Sequence, residues 1–320
     1  MGKVKVAFIG AGGMANSVHY PSLAEMEEVA LVGICDLDEE RLRATGDKFG
    51  IEARFRDYKE MIEKTAPDAV YIIMPPHHLF DLVIHCLGRK LHVFIEKPPG
   101  VTSEQTRNMA LAADRNGCLT MVAFNRRFIP AAVAAKERVE ERGPLTQCVA
   151  TFYKHTIGAP PYYGGAIDVL TCDAVHAVDA LRWMGGEVVC AASDVRAVSA
   201  SYDNSFNAVL SFENGCTGVL LTNWTVGKRV HTLEMHGVGI SAFIDTDERA
   251  IIYKDNQPEG EEIWSRDLVG TEEPHKRLGF FAENRHFIDC IKDKRLPQTH
   301  FGDALRTMEL VDTIYAARML

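Results

Sequence analysis

The chain has 320 residues, 47% of them hydrophobic, which is enough for two domains with well-filled cores. Its 35 basic and 44 acidic residues give a formal net charge of -9, and without a basic cluster this charge argues against a nucleic-acid partner. The eight cysteines are scattered singly, with neither disulfide nor zinc spacing, and no apolar run is long enough to cross a bilayer. We therefore expect a cytoplasmic protein with no membrane span and no metal site.

Predicted strands and helices alternate through the first 123 residues. The strands are expected at residues 3–9, 29–35, 69–74, 93–95 and 119–123, and the helices at 38–49, 79–86 and 103–116. The last of these helices begins with the capping box Thr102-Ser-Glu-Gln105 and ends at Asn116-Gly117. This alternation predicts a doubly wound parallel sheet, an α/β domain of the Rossmann type, over residues 1–123.

From residue 124 the pattern changes to longer alternating runs. Strands are expected at residues 145–155, 188–198, 205–212, 216–226, 230–236, 240–244 and 250–254, and helices at 130–141, 168–184, 276–291 and 302–319. Asn214-Gly215 between two of the strands is a strong hairpin signal. Residues 124–320 are therefore predicted to form an α+β domain built on a mostly antiparallel open sheet. The alternative for its last helix is that this helix packs on the Rossmann domain.

A glycine-rich turn follows the first predicted strand. Gly10-Ala11-Gly12-Gly13-Met14-Ala15 is a G-x-G-x-x-A variant of the dinucleotide fingerprint. The first glycine allows the tight turn, the second lets the backbone approach the phosphates, and the alanine permits close packing of helix on strand. We therefore expect a dinucleotide pyrophosphate at the N-terminus of the following helix.

The second predicted strand ends in Asp36, 26 positions after Gly10. A carboxylate there is expected to accept a ribose 2′-hydroxyl and to repel a 2′-phosphate, which favours NAD over NADP. NADP is the alternative cofactor, because the nearby Arg41 could bind its 2′-phosphate. The alternative is that Asp36 only caps the next helix, because Asp36-Leu37-Asp38-Glu39 has the form of a capping box.

A second apolar strand ends in Glu96-Lys97-Pro98. Ligands of open parallel sheets bind at the carboxyl edge of the strands, so the amine of Lys97 is a candidate acid/base beside the cofactor. The alternative is an exposed lysine that forms a salt bridge with Glu96. Without further information a trans Lys97-Pro98 bond is expected.

Five motifs together resemble the glucose-fructose oxidoreductase and inositol dehydrogenase (Gfo/Idh/MocA) family, over essentially the full length of the chain. The motifs are Gly10 to Ala15, Met74-Pro75-Pro76, Glu96-Lys97-Pro98, Asn125-Arg126-Arg127-Phe128, and the helix carrying His176, Asp179, Arg182 and Trp183. The resemblance implies an NAD(P)-dependent oxidoreductase that acts on a sugar, cyclitol or related polyol and forms a homodimer or homotetramer. It also implies that residues 124–320 form the domain for substrate binding and oligomerisation.

The resemblance also implies roles for particular residues. Lys97 is implied to be the general acid/base, with a cis Lys97-Pro98 bond that aims it at the cleft. The residues implied to contact the cofactor, besides the glycine turn from Gly10 to Ala15 and Asp36, are Met74, Pro75, Pro76, Glu96, Lys97 and Asn125.

The second-domain helix supplies the other catalytic candidates. Family members carry a carboxylate or similar group four residues before a histidine, but here Cys172 precedes His176 at that spacing. Asp173, three residues before His176, shares its helix face. We assign His176 to a substrate hydroxyl, with Asp173 orienting it or touching the substrate; the alternative is a structural pair. Cys172 argues against the simple relay of inositol dehydrogenases.

Three further side chains are candidate substrate contacts. Arg127 and His155 lie where relatives contact substrate, although an ion pair and a strand-end histidine are equal alternatives. Tyr163, beside Gly164-Gly165, belongs to an aromatic group that is suited to line a sugar site. The alternative is that these tyrosines lie at the edge of the hydrophobic core.

The sequence thus predicts NAD-dependent hydride transfer to or from a carbohydrate-like alcohol. One rival is a redox-neutral glycosidase or lyase in which bound NAD transiently oxidises a sugar carbon. The other is a cofactor-binding regulatory protein without catalysis.

Overall fold

The computed structural model describes residues 2–319, which form two compact units. The first comprises residues 2–124, 274–276 and 280–305, and the second comprises residues 125–273, 277–279 and 306–319.

The strands and helices alternate in the first unit and are segregated in the second. The strands are β1 (Val4–Ile9), β2 (Val29–Cys35), β3 (Arg54–Phe55), β4 (Ala69–Ile72), β5 (His92–Ile95), β6 (Thr120–Val122), β7 (Leu145–His155), β8 (Val188–Arg196), β9 (Ser205–Phe212), β10 (Thr217–Asn223), β11 (Thr225–Gly237), β12 (Ile240–Asp245), β13 (Arg249–Lys254) and β14 (Glu261–Trp264). The α-helices are α1 (Tyr20–Ala24), α2 (Glu39–Phe49), α3 (Tyr58–Thr65), α4 (Leu79–Gly88), α5 (Ser103–Asn116), α6 (Pro130–Glu140), α7 (Val175–Gly185), α8 (Ser265–Val269), α9 (Pro274–Arg277), α10 (Phe280–Asp293) and α11 (Phe301–Ala316).

The first unit is a parallel sheet in the order β3-β2-β1-β4-β5-β6, which confirms the predicted doubly wound Rossmann fold. Its central strands are buried on both faces, as their nearly continuous apolar sequences require. The sequence analysis did not predict β3 or α3. Strand β3 has only two residues, too few for an alternating pattern. A side-chain cap starts α3, where Asp57 accepts a hydrogen bond from the Lys59 backbone at 2.8 Å.

The second unit contains an eight-stranded sheet in the order β14-β13-β12-β11-β7-β10-β9-β8. Only β7 and β10 pair in parallel, so the predicted mostly antiparallel sheet is confirmed. Helix α7 packs against β7 and β10, and α6 packs against β11, β12 and β13. The Asn214-Gly215 hairpin is also confirmed, with Gly215 at a φ of 84°.

Five strand predictions, at 3–9, 69–74, 119–123, 188–198 and 216–226, extend beyond the observed strands, and two of these differences have a clear cause. The strand expected at 216–226 is interrupted at Trp224, where the Asn223 side chain accepts a hydrogen bond from the Thr225 backbone at 2.7 Å and starts a new strand. The strand expected at 69–74 ends at Ile72, shortly before Pro75.

Two helices contain π-helical turns that the sequence did not predict. One runs over Ala15–His19, directly after the glycine motif, and the other over Leu170–Ala174, which contains Cys172 and Asp173. Such turns are frequent at functional sites. The helix expected at 276–291 is also divided, into α9 and α10 around Gly279, whose φ is 84°.

All eight cysteines are free thiols, and seven of them are buried, in agreement with their predicted role as packing residues. Within residues 2–319, no helix is both long enough and apolar enough to cross a membrane.

Candidate active site

The glycine turn of the first unit lies at the carboxyl end of β1. Gly10 has a φ of 112°, and a Cβ added there would lie 2.3 Å from the carbonyl oxygen of Ile73. Only glycine fits this position. A Cβ at Gly12 or Gly13 would meet no atom within 4 Å. The backbone there borders open space, as a phosphate-binding turn requires.

The turn is held in place by Asn16, which the sequence analysis did not single out. Its amide nitrogen lies 2.9 Å from Ala11 O, 3.2 Å from Gly12 O and 2.9 Å from the Thr45 hydroxyl. These contacts join the start of the first helix to the loop and to α2. Contacts within the protein therefore hold the loop in place.

Asp36 is fixed against the same turn. Its Oδ2 accepts a hydrogen bond from Ala11 N at 2.7 Å, and its Oδ1 accepts one from Asp38 N at 2.9 Å. The N-cap of α2 is Asp38, not Asp36, and Arg41 pairs with Asp38 at 3.2 Å. Each Asp36 oxygen keeps a lone pair for a ribose hydroxyl.

Two apolar side chains near this carboxylate are exposed. Leu37 is 74% exposed and Met14 is 38% exposed. A flat apolar group beside Asp36 would cover surface that water otherwise solvates unfavourably. Together with the open glycine turn, this surface fits a nicotinamide adenine dinucleotide.

Lys97 follows β5 at the same edge of the sheet. Because β1, β4 and β5 are adjacent and parallel, Gly10, the Met74-Pro75-Pro76 segment after β4, and Lys97 all lie at carboxyl ends. The β1 and β5 ends are two strand spacings apart, about 10 Å. The Lys97-Pro98 bond is cis, as the family resemblance implied.

Glu96 is anchored inside the first unit. Its Oε1 lies 2.9 Å from His19 Nε2, and its Oε2 accepts a hydrogen bond from Lys97 N at 3.2 Å. His19 in turn contacts the Asn284 amide. The carboxylate therefore pairs with a buried histidine, whereas the sequence had offered Lys97 as its salt-bridge partner.

In the second unit, Cys172, Asp173 and His176 are buried on the π turn and the first turn of α7. Lys154, near the end of β7, forms an ion pair with Asp173. Tyr162 donates a hydrogen bond to the same Asp173 oxygen at 2.6 Å.

The Lys154 ammonium also lies over two aromatic rings, 5.1 Å from the Phe152 centroid and 5.7 Å from that of Trp224. Trp224 Nε1 donates to the Tyr162 hydroxyl at 3.4 Å. Burial and the Asp173 charge raise the pKa of Tyr162, so its hydroxyl stays protonated and acts as a donor to Asp173. A cation, a carboxylate and a phenol thus form one polar cluster.

Three of the remaining predicted residues of the second unit contact partners that are distant in sequence. Arg127 forms a buried bidentate ion pair with Asp179, at 2.8 and 2.6 Å, which was the alternative to a substrate contact. Asn125 donates to Leu278 O at 2.9 Å. The exposed His155 donates from Nδ1 to Val226 O at 2.7 Å, and the exposed Tyr163 has a φ of 50°.

Comparison with known proteins supports this reading of the fold. A family model described as an oxidoreductase family with an NAD-binding Rossmann fold matches residues 4–124, and a model of the GFO/IDH/MocA C-terminal domain matches residues 157–241. D-apiose dehydrogenase of Paraburkholderia graminis is 26% identical over 98% of this chain and 87% of its own length. D-xylose 1-dehydrogenase (NADP(+)) 2 of Haloferax volcanii is 28% identical over 96% and 95%.

A solved dehydrogenase structure from Chromobacterium violaceum superposes with a TM-score of 0.89, at 21% identity, covering 99% of this chain and 96% of its own. The fold and the glycine turn define a dinucleotide-binding protein of the Rossmann class. With both family models matched, the chain belongs to the Gfo/Idh/MocA family, whose members are NAD(P)-dependent oxidoreductases.

Sequence reasoning missed Lys154, His19 and Asn284. Lys154 carries a local signal, because it continues the inward register of Cys148, Ala150 and Phe152 in β7. A lysine in that register needs a buried partner. His19 and Asn284 are 265 positions apart in sequence, and no local pattern joins them.

Proposed function

We propose that this protein transfers hydride between a carbon bearing a hydroxyl group, in a sugar, cyclitol or related polyol, and a nicotinamide cofactor, with a preference for NAD. The observation that carries the proposal is the common sheet edge shared by the glycine turn, Asp36 and Lys97, in a chain of this family. Relatives named for D-apiose and D-xylose oxidation support the substrate class.

The bound dinucleotide would supply the hydride acceptor or donor. Backbone N–H groups of the glycine turn would hold its pyrophosphate, and Asp36 would accept its ribose hydroxyls. Asp36 also ties down Ala11, so one carboxylate both shapes the turn and selects against a 2′-phosphate.

Lys97 would move the proton. Oxidation of a secondary alcohol removes a hydride from carbon and a proton from oxygen, and an amine positioned at the hydroxyl accepts that proton. In the reverse direction the ammonium returns it to the forming alkoxide. The hydrogen bond from Lys97 N to Glu96 fixes the backbone from which the amine extends.

His176 and Asp173 would serve the substrate. We assign His176 to a substrate hydroxyl, and Asp173, already paired with Lys154 and Tyr162, to orienting the polar cluster. The ammonium and the phenol both contact one Asp173 oxygen and so fix the orientation of its carboxylate. Asp173 is therefore assigned a positioning role, and Lys97 the proton transfer.

The test is a screen of free aldoses, cyclitols and sugar acids with NAD and NADP, followed by absorbance at the NADH band. Net NADH formation with one of these compounds, abolished in Lys97→Met, is expected. Product formation from a glycoside without net NADH would instead establish the redox-neutral alternative. Cofactor binding without turnover of any compound would overturn the proposal.

A further inference from the structure

A buried hydrogen-bonded chain lies behind Lys97 in the first unit. His19, on the π turn after the glycine motif, is fully buried, and its Nε2 lies 2.9 Å from Glu96 Oε1. The backbone N–H of Lys97 donates to the other carboxylate oxygen, Oε2, at 3.2 Å. Glu96 thus accepts one hydrogen bond from the imidazole and one from the backbone of Lys97.

Asn284 sets the tautomer of this imidazole. Its Nδ2 donates to Phe280 O at 2.7 Å and lies 3.1 Å from His19 Nδ1, whereas its Oδ1 lies 3.4 Å from the same ring nitrogen. The shorter of the two contacts to Nδ1 assigns Nδ2, which has a second hydrogen available, as the donor to this ring nitrogen. With Nδ1 as the acceptor, the ring proton is assigned to Nε2, where it donates to Glu96.

The surroundings of the imidazole are apolar. Phe94 and Phe280 present their rings edge-on to His19, with centroids 5.2 and 6.3 Å from the imidazole centroid. In such a low-dielectric setting hydrogen bonds are stronger than at the surface, and a missing partner costs more. The carboxylate orientation is correspondingly rigid.

We propose that His19 is a positioning residue for proton transfer by Lys97. Its Nε2–H, held in that tautomer by Asn284, orients the Glu96 carboxylate, and the carboxylate in turn holds the Lys97 backbone at the end of β5. This inference rests on the proposed function, because it takes Lys97 as the proton carrier. Two donors converge on two oxygens, an arrangement that an amide at position 96 cannot satisfy.

Three substitutions at His19 test the donor position. The amide nitrogen of glutamine coincides with Nε2 of histidine, whereas that of asparagine coincides with Nδ1. His19→Gln should therefore keep kcat within a few-fold. His19→Asn and His19→Leu should lower kcat roughly 10- to 100-fold, the scale of a misplaced catalytic group. The dissociation constant for NAD should change no more than a few-fold in all three.

A second readout does not depend on turnover. Amide hydrogen exchange at Lys97, followed by NMR, should be faster in His19→Leu than in His19→Gln, because Glu96 Oε2 no longer holds that N–H. Long-range 15N spectra of the unaltered protein, with His19 assigned from the His19→Gln spectrum, should show the Nε2–H tautomer. An Nδ1–H tautomer would overturn the inference even if a variant failed to fold.

His275→Gln is the matched control. His275 Nε2 lies 2.8 Å from Glu25 Oε1 in the same unit, so the substitution changes a similar histidine–glutamate pair at a position remote in sequence from Glu96 and Lys97. Its kcat should equal that of the unaltered protein.

Equal loss of kcat in the Gln, Asn and Leu variants at His19 would show a packing role only and overturn the inference. Unchanged kcat in His19→Leu, with Lys97→Met inactive, would overturn it while the proposed function stands. Turnover by Lys97→Met would overturn the proposed function itself.

Discussion

The Asp36 carboxylate accepts the backbone N–H of Ala11 at 2.7 Å, so the residue proposed to read the ribose also holds the glycine turn. Substitution at Asp36 is therefore expected to change both cofactor preference and cofactor affinity.

The unaltered protein should bind NAD at least several-fold more tightly than NADP. Asp36→Asn should shrink that gap, since it removes the charge that repels a 2′-phosphate. Asp36→Ala should in addition weaken NAD binding by about 1.5 to 3 kcal/mol, the scale of a lost charge-assisted hydrogen bond. Calorimetric titration with both cofactors measures this. Asp38→Asn, which keeps a good N-cap on α2, should leave the preference unchanged, and a preference of the unaltered protein for NADP would refute the role of Asp36.

Lys97→Met should lower kcat by about 10² or more while leaving NAD affinity within a few-fold, because the stem is kept and only the amine is lost. His176→Ala should mainly raise KM, with a smaller loss in kcat, since its proposed part is to hold a hydroxyl. Steady-state kinetics with the substrate found by screening separates the two. Lys64→Met, which removes an exposed lysine paired with Glu60, is the control; substantial turnover in Lys97→Met would exclude Lys97 from the mechanism.

Lys154→Met should raise KM for the polyol about tenfold or more, because Asp173 loses its cationic partner and the cluster with Tyr162 loosens. NAD affinity should stay within a few-fold, since the glycine turn and Asp36, which are proposed to hold the dinucleotide, do not contact Lys154 in any described hydrogen bond or ion pair. Kinetics and NAD titration of the same samples measure both. Lys136→Met removes another lysine of that unit, which has a carboxylate partner, Glu140, and a nearby Trp183 ring, and should leave KM unaltered. An unchanged KM in Lys154→Met would remove the cluster from substrate binding.

Asp179→Ala should destabilise the second unit by about 3 to 5 kcal/mol, because it leaves the Arg127 guanidinium buried without its bidentate partner. The double change Arg127→Met with Asp179→Leu should cost less than Asp179→Ala alone. Urea unfolding followed by tryptophan fluorescence reports on this unit, since Trp183, Trp224 and Trp264 all lie in it. A loss below about 1 kcal/mol in Asp179→Ala would contradict the assigned importance of the pair.

His231 should make the second unit sensitive to acid. It is 3% exposed, neither ring nitrogen has a hydrogen-bond partner within the described chain, and its ring stacks on Phe152 with centroids 4.1 Å apart. Burial, and after it the charges of Arg126, Arg229 and Lys154, lower the pKa of His231 well below 6.5.

The folded state therefore keeps this ring neutral, while the unfolded chain takes up a proton below pH 6.5. The contribution to stability is fully present above that pH and should fall by up to about 1.4 kcal/mol for each pH unit below it. Urea midpoints at pH 7.5 and 5.5 should differ less in His231→Phe than in the unaltered protein. His236→Gln, at a histidine bound to Ser241 and Glu234, should keep the full difference, and an equal difference in His231→Phe would refute the assignment.

Local sequence determined the parts of this protein that depend on short-range chemistry. Alternating apolar runs, the cap at Thr102 and the Asn214-Gly215 hairpin predicted α5, β7 and β9 with the bounds they have, because a buried strand or a capped helix is recorded in adjacent residues. The glycine turn and the Lys97 amine at the end of β5 were likewise predicted from sequence, since each directly follows a strand that an apolar run marks.

Only the tertiary structure decided which partners these residues have. Arg127 is paired with Asp179, Asp173 with Lys154, and Glu96 with His19, and each partner lies between 19 and 77 positions away along the chain. Side-chain pairs of this kind form because folding brings distant positions together and buries them, where an unpaired charge or donor is costly. That cost acts through space, so no local pattern of residues records it.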